Sequence, residues 1–151
     1  MNYGLGSVFE QALRYLLLLY EIEGKSNINR ICALDYIATY AADFSLDTTN
    51  LHGYSEYRFN EYASRSMTAF EALRELAYRN LIHAIPTSEG LQYTITESGQ
   101  KLCTSLISEY ADEYLNIVSE INEKLSSSSD KAIGDMIMSK IEKQDNNGAN
   151  V

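Results

Sequence analysis

The chain has 151 residues, a length typical of one domain, so we predict a single main core. With 45% hydrophobic residues, 22% charged residues and one proline, Pro86, the composition is typical of a mostly helical globular protein and excludes disorder for the bulk of the chain. The formal net charge of -9 repels phosphate and anionic lipid. A nucleic-acid function would therefore require the basic residues to be concentrated on one face.

The sequence carries no signal for a membrane span, a targeting peptide or a metal site. Its longest apolar run, residues 15–20, is far shorter than the roughly 20 residues that a span needs. Residues 1–6 lack a basic segment ahead of an apolar stretch, so we expect a cytoplasmic protein. Cys32 and Cys103 form no CxxC pair and are predicted to be small core residues. We predict no metal and no other cofactor.

Two helices and a loop are predicted for the first part of the chain. Apolar residues recur every three or four positions over residues 8–22, and Gly24 ends this pattern shortly afterwards. The same spacing recurs over residues 28–44. Residues 45–59 follow neither a helical nor a strand period, which predicts a surface loop.

A third helix and a hairpin are predicted next. Asn60 is a suitable cap for a helix that ends near Asn80. Its predicted buried face carries Ala63, Met67, Phe70, Leu73 and Ala77. Residues 81–95 contain two short β-prone runs around a glycine-containing turn, which predicts a β-hairpin.

One long helix is predicted to follow. Thr96 can cap it, and apolar spacings of three and four continue to residue 125, about 29 residues in all. We predict a main domain over residues 1–125, a serine linker over 126–129, and a short amphipathic helix with a frayed tail over 130–151.

The element order predicts a mostly α protein with a small β-hairpin, namely a winged helix-turn-helix with a long C-terminal helix. Such folds often bind DNA through the third helix. Here two arginines of that helix have acidic partners four residues earlier, in the pairs Glu61–Arg65 and Glu75–Arg79. Residues 81–95 contain no Lys or Arg, and residues 102–123 contain five acids and no base. These charges favour a protein partner over DNA.

Asp35 and Arg74 are charged residues on otherwise apolar helix faces. Because an unpaired buried charge is costly, we predict an ion pair between Asp35 and Arg74 that joins the second and third helices. A structural role for this pair is favoured over a functional one.

Tyrosine is abundant, with 12 residues, and is enriched at protein interfaces because it combines a large contact area with a polar tip. An amphipathic helix without a core of its own commonly binds in the groove of a partner. The interface candidates chosen on these grounds are Tyr54, Tyr57, Tyr110, Tyr114, Ile133, Met136 and Ile137.

A set of short motifs is distributed over about residues 8–120: Ala33-Leu34-Asp35-Tyr36, Asp43-Phe44, Leu51-His52, Glu61 to Arg65, Leu81-Ile82 and Gly90-Leu91-Gln92-Tyr93, ending at Tyr110. Together these motifs resemble one known family, the middle component of bacterial ABC-three-component systems. The resemblance assigns no catalytic role to the positions of this chain that match the family's motifs, namely Asp35, Tyr36, Asp43, Phe44, His52 and Arg65. The chain lacks the Gly-Pro-rich segment expected after Phe44, and has Ser64-Arg65 in place of paired arginines. Asp43, Phe44, His52 and Arg65 join the interface candidates.

The resemblance implies a non-enzymatic adaptor between an SMC-like ABC ATPase and a nuclease-type effector, as in complexes similar to Lamassu that defend bacteria against phage and plasmids. DNA contact would be at most indirect, and neither a membrane nor a small-molecule substrate is implied.

Two alternatives remain open. A winged-helix transcriptional regulator would dimerise through the C-terminal helix and bind DNA through Ser64, Arg65, Ser66 and Thr68. An enzyme would require a pocket built from Asp43, Asp47 and His52, a spacing that matches no known ligand pattern.

Overall fold

The computed structural model describes residues 7–45, residue 51 and residues 58–149, with side chains except at residues 58–60 and 143–149. The described elements in chain order are α1 (Val8–Ile22), α2 (Ile28–Thr39), a 3₁₀ helix (Ala41–Phe44), α3 (Arg58–Tyr78), β1 (Ile82–Thr87), β2 (Gly90–Ile95), α4 (Glu97–Ser105), α5 (Glu109–Leu125) and α6 (Asp130–Ala149). The prediction of a mostly helical chain with one antiparallel hairpin is confirmed.

Helix α1 is the central helix of the described fold. The Ser7 side chain caps it by accepting a hydrogen bond from the Glu10 amide. Residues 15–19 are all buried, and α1 contacts α2, α3, α4 and α5. A helix that is covered around its circumference needs apolar residues on every side, and the run of four leucines in α1 provides them.

The second predicted helix is interrupted near its end. Asn27 caps α2 through a hydrogen bond from the Arg30 amide, and α2 ends at Thr39. The Thr39 hydroxyl donates to the Tyr36 carbonyl at 3.0 Å. The chain then forms the 3₁₀ helix, and Ser45, the residue after it, has a left-handed backbone conformation.

The predicted buried face of the third helix is wrong in part: Leu73 is buried and Ala77 is partly buried, whereas Ala63, Met67 and Phe70 are exposed. Helix α3 begins at Arg58, so Asn60 lies inside it and is not its cap. Its buried face consists of Arg65, Ala69, Ala72, Leu73 and Leu76. Met67 and Phe70, predicted to be buried, are 84% and 53% exposed. The buried face begins with a charged residue, which makes it look polar in the sequence, whereas part of the exposed face is apolar.

The hairpin is connected to the helices through strand β2, which pairs with the residues between α1 and α2 and leads directly into α4. Its register pairs Ile82 with Ile95, and Tyr93 also exchanges two backbone hydrogen bonds with Ser26, which lies between α1 and α2. Thr96 caps α4 as predicted, through a hydrogen bond from the Gly99 amide at 2.9 Å. A Cβ atom at Gly99 would overlap the Leu81 carbonyl oxygen, so this close approach requires glycine.

The prediction of a single long C-terminal helix is also wrong, because the chain forms α4 and α5 with a break over residues 106–108. Ser108 adopts an extended conformation and its hydroxyl accepts a hydrogen bond from the Ala111 amide at 3.0 Å, which starts a new helix. The apolar spacing continues across the break, and this continuity hides the break in the sequence.

Helix α6 is longer than predicted and does join the core. It extends to Ala149, whereas the sequence predicts a short helix with a frayed tail over residues 130–151. Ile133, Ile137 and Ile141 are buried as α6 packs against α2. Arg30 of α2 holds the turn before it, donating to the Ser128 and Leu125 carbonyls at 2.9 and 3.0 Å.

Candidate interaction surfaces and a buried charge cluster

A cluster of charged side chains lies at the centre of the helical body. Asp35 of α2 is completely buried and accepts hydrogen bonds from three other helices. Its Oδ1 atom lies 2.9 Å from Arg14 Nε of α1 and 2.7 Å from the Tyr114 hydroxyl of α5. Its Oδ2 atom lies 3.3 Å from Arg65 Nη1 of α3. Asp35 therefore connects α1, α2, α3 and α5.

Arg65 extends the cluster along α3. It donates to the Thr39 hydroxyl at 2.8 Å and to the Glu61 carboxylate at 2.6 Å, and Tyr40 donates to the same carboxylate. The Arg65 guanidinium carbon also lies 5.7 Å from the ring centroids of Tyr36 and of Tyr40. The predicted Glu61–Arg65 pair is confirmed, although Arg65 is buried rather than on the outer face.

The cluster stays ionised despite its burial. Burial alone would raise the pKa of Asp35, but Arg14 and Arg65 outweigh burial and hold that pKa below its usual value. Burial alone would likewise lower the pKa of Arg14, and the Asp35 carboxylate raises it. The formal charges of Arg14, Asp35, Glu61 and Arg65 sum to zero, so the charges of the cluster balance one another.

The predicted Asp35–Arg74 ion pair is wrong. Asp35 is buried and paired as expected, but its partners are Arg14 and Arg65, whereas Arg74 is exposed on the opposite face of α3. The role of Arg14 was missed in the sequence, although one signal was available. Arg14 is the only charged residue between Gln11 and Tyr20, inside an otherwise apolar pattern, and such a residue needs a buried counter-charge.

The predicted interface residues fall into three groups. Five are part of the core: Phe44, Arg65, Tyr114, Ile133 and Ile137. Three are partly buried: Asp43, Tyr110 and Met136. The remaining three, His52, Tyr54 and Tyr57, lie outside the described residues, as does Asp47 of the enzyme alternative. The five core side chains are unavailable to a partner, because they are buried within the chain. Four of them pack in the core, and Arg65 pairs with Asp35 and Glu61.

The exposed apolar residues mark a different surface. Met67, Phe70, Arg74 and Tyr78 follow each other at spacings of three, four and four, so they lie on one face of α3, here called the α3 stripe. Tyr78 is 84% exposed, as is Met67. Three large exposed apolar side chains around one arginine are typical of an interaction surface.

Two depressions run along α1. The α1–α3 groove, about 510 Å³, lies beside Arg74 and Glu75 of α3, with Phe9 on its other side. The α1–α5 pocket, about 260 Å³, is lined mainly by apolar side chains from α1, the residues 106–108 connection and α5. Leu13 and Leu106 line both depressions, so the two are neighbours.

The outer face of α5 is acidic. Glu109, Glu113, Glu120 and Glu123 recur at spacings of four, seven and three and are all exposed, and Asp112 lies beside them. The exposed Lys124 at the end of α5 is the sole base of this helix. The face therefore attracts a cationic surface and repels phosphate.

Among the described residues, no three His, Cys, Asp or Glu side chains come close enough together to hold a metal ion. Within the same residues, every helix is too short or too polar to cross a membrane.

Comparison with known proteins gives one match. The model of the family described as ABC-three component (ABC-3C) system Middle Component 2 matches residues 5–147. No curated protein and no solved structure matches the chain. Because the family match covers nearly the whole sequence, the chain belongs to the Middle Component 2 family of ABC-three component systems.

Proposed function

We propose that the chain is a non-enzymatic winged-helix adaptor that connects an SMC-like ABC ATPase to a nuclease-type effector in a defence complex similar to Lamassu. Membership of the Middle Component 2 family supports a role as one subunit of a system with several components. The order of helices and hairpin, with the backbone bridge between Ser26 and Tyr93, supports the winged-helix assignment.

The surface of α3 carries this proposal and favours protein over DNA. A winged-helix protein that binds DNA needs exposed Lys or Arg side chains on its third helix and on its hairpin. Here Arg65 is buried in the charge cluster, and Arg79 is paired with Glu75 at 2.7 Å. Arg74 is a single exposed basic residue, and it lies among the large apolar side chains of the α3 stripe. The hairpin has no Lys or Arg.

Two separate surfaces support a connecting role. The α3 stripe and the acidic face of α5 belong to two different helices, both of which pack against α1. The α3 stripe is mostly apolar with one arginine and the α5 face is anionic, so the two surfaces fit partners of different chemistry. This is the arrangement that an adaptor needs if it is to hold two proteins at once.

The test is co-expression with the ATPase and the effector of the same system, followed by size-exclusion chromatography. We expect the wild-type chain to co-elute with both components, and the double variant Met67→Ser/Phe70→Ser to lose one of them. Met138→Ser is the matched control, because Met138 is 42% exposed on the distant helix α6. A wild-type chain that elutes alone, or one that binds its own promoter DNA with a steep salt dependence, would contradict the adaptor role.

A further inference from the structure

The α1–α5 pocket has the size of a site for a protein side chain. Its volume of about 260 Å³ lies below the roughly 300–1,000 Å³ of ordinary small-molecule sites. Leu13, Leu17, Leu106 and Ala111 make its wall mostly apolar. Ile107, in the connection beside it, is 88% exposed, which extends the apolar area onto the surface.

The charges around this pocket are anionic. Glu10 lines the pocket, and one oxygen of its carboxylate is buried without a hydrogen-bond partner among the described residues. Exposed Glu109 and Glu113 flank Tyr110, another lining residue. Arg14 also lines the pocket, but its guanidinium is bound to Asp35 at 2.9 Å. A buried carboxylate oxygen beside further acids is satisfied best by a cationic donor.

Resting on the proposed adaptor function, we propose that the α1–α5 pocket binds a basic amphipathic helix of another component of the same system. An aliphatic side chain of that helix enters the pocket, and a neighbouring Lys or Arg binds Glu10 and the acidic first turns of α5. Helix-in-groove binding of this kind combines spaced apolar anchors with charges that set the orientation.

The experiment measures the affinity of the full-length chain for the purified ATPase and for the purified effector, at low and at physiological salt. Glu10→Gln removes the charge that lines the pocket. Ile107→Ser removes the exposed apolar side chain beside the pocket, at a position where folding does not depend on it. Glu142→Gln is the matched control, because it removes the same charge from an exposed position on α6, outside both the α1–α5 pocket and the α3 stripe. Thermal unfolding checks that each variant is folded.

We expect Glu10→Gln and Ile107→Ser each to weaken binding to one component about tenfold, with a smaller salt dependence for Glu10→Gln, while Glu142→Gln stays within about twofold of the wild type. If the complex forms and these two variants bind as the wild type does, the pocket assignment is overturned and the adaptor role stands. If the wild type binds neither component, both proposals fail. If Glu10→Gln instead dissolves a homodimer, the occupant is a second copy and the assignment is overturned.

Discussion

Replacing Asp35 by Asn tests the central charge cluster most directly. The substitution keeps the shape of the side chain but removes the negative charge that faces Arg14 at 2.9 Å and Arg65 at 3.3 Å. The cluster then carries a net charge of +1, with the two arginine side chains only 2% and 3% exposed. Water therefore cannot compensate for the lost carboxylate.

The expected loss of unfolding free energy is about 3–5 kcal/mol, the range found when one partner of a buried ion pair is removed. Because a domain of this size has a total stability of roughly 5–15 kcal/mol, the loss is a large fraction of it. At roughly 2–4 °C per kcal/mol, the melting temperature should fall by about 6–20 °C.

A double-mutant cycle with Arg14→Met sharpens the test. In the double variant only Arg65 and Glu61 remain charged, so the cluster is neutral again. The double variant should therefore lose about 1–3 kcal/mol less than the sum of the two single losses. Urea unfolding followed by circular dichroism measures all three values. A loss below about 1 kcal/mol for Asp35→Asn, or strictly additive losses, would refute the reasoning.

The same carboxylate predicts a pH dependence. Since the pKa of Asp35 is lower in the folded chain than its unfolded value of about 3.9, its contribution to stability is complete above the unfolded value. That contribution is lost as the pH falls through the folded pKa. Asp35→Asn should accordingly show a shallower loss of stability on acidification than the wild type, measured as unfolding free energy between neutral pH and pH values below the unfolded pKa.

Three further predictions concern other parts of the fold. Ile137→Ala should cost about 2–5 kcal/mol, because Ile137 is fully buried, whereas Met138→Ala, one residue along, should cost under about 0.5 kcal/mol in the same urea titration. Arg30→Ala removes two hydrogen bonds to carbonyls in the turn before α6 and should lower hydrogen-exchange protection in α6 more than in α1. An equal loss of protection in the two helices would contradict this prediction. Burial raises the pKa of the Cys103 thiol to about 11, so about 0.1% is thiolate at pH 8, and iodoacetamide should label it only after denaturation.

Local signals in the sequence predicted much of the architecture. The first helix was expected over residues 8–22 and forms over Val8–Ile22, since an unbroken apolar period and a following glycine define both ends. The hairpin and the Thr96 cap are confirmed for the same reason, because turn and cap preferences depend on a few adjacent residues. No comparable local signal marks the break before α5, where the apolar spacing persists.

The candidate site was harder to predict because it depends on which faces meet. The periodicity of α3 allows two faces, and a method that favours apolar residues selects Met67 and Phe70 over the face that contains Arg65. The choice is decided by Asp35 on α2, a residue 30 positions earlier, whose charge makes burial of Arg65 favourable. Likewise, the docking of α6 depends on α2 and cannot be inferred from the α6 sequence alone.

The bonds of Asp35 also constrain the order in which the fold can be completed. Its partners Arg14, Arg65 and Tyr114 lie 21, 30 and 79 residues away along the chain. An assembly of α1, α2 and α3 without α5 would leave the Asp35 carboxylate lacking its tyrosine donor in an incompletely covered core. Such an intermediate gains little stability until α5 docks, so the four helices should form in one cooperative transition rather than in sequence from the N-terminus.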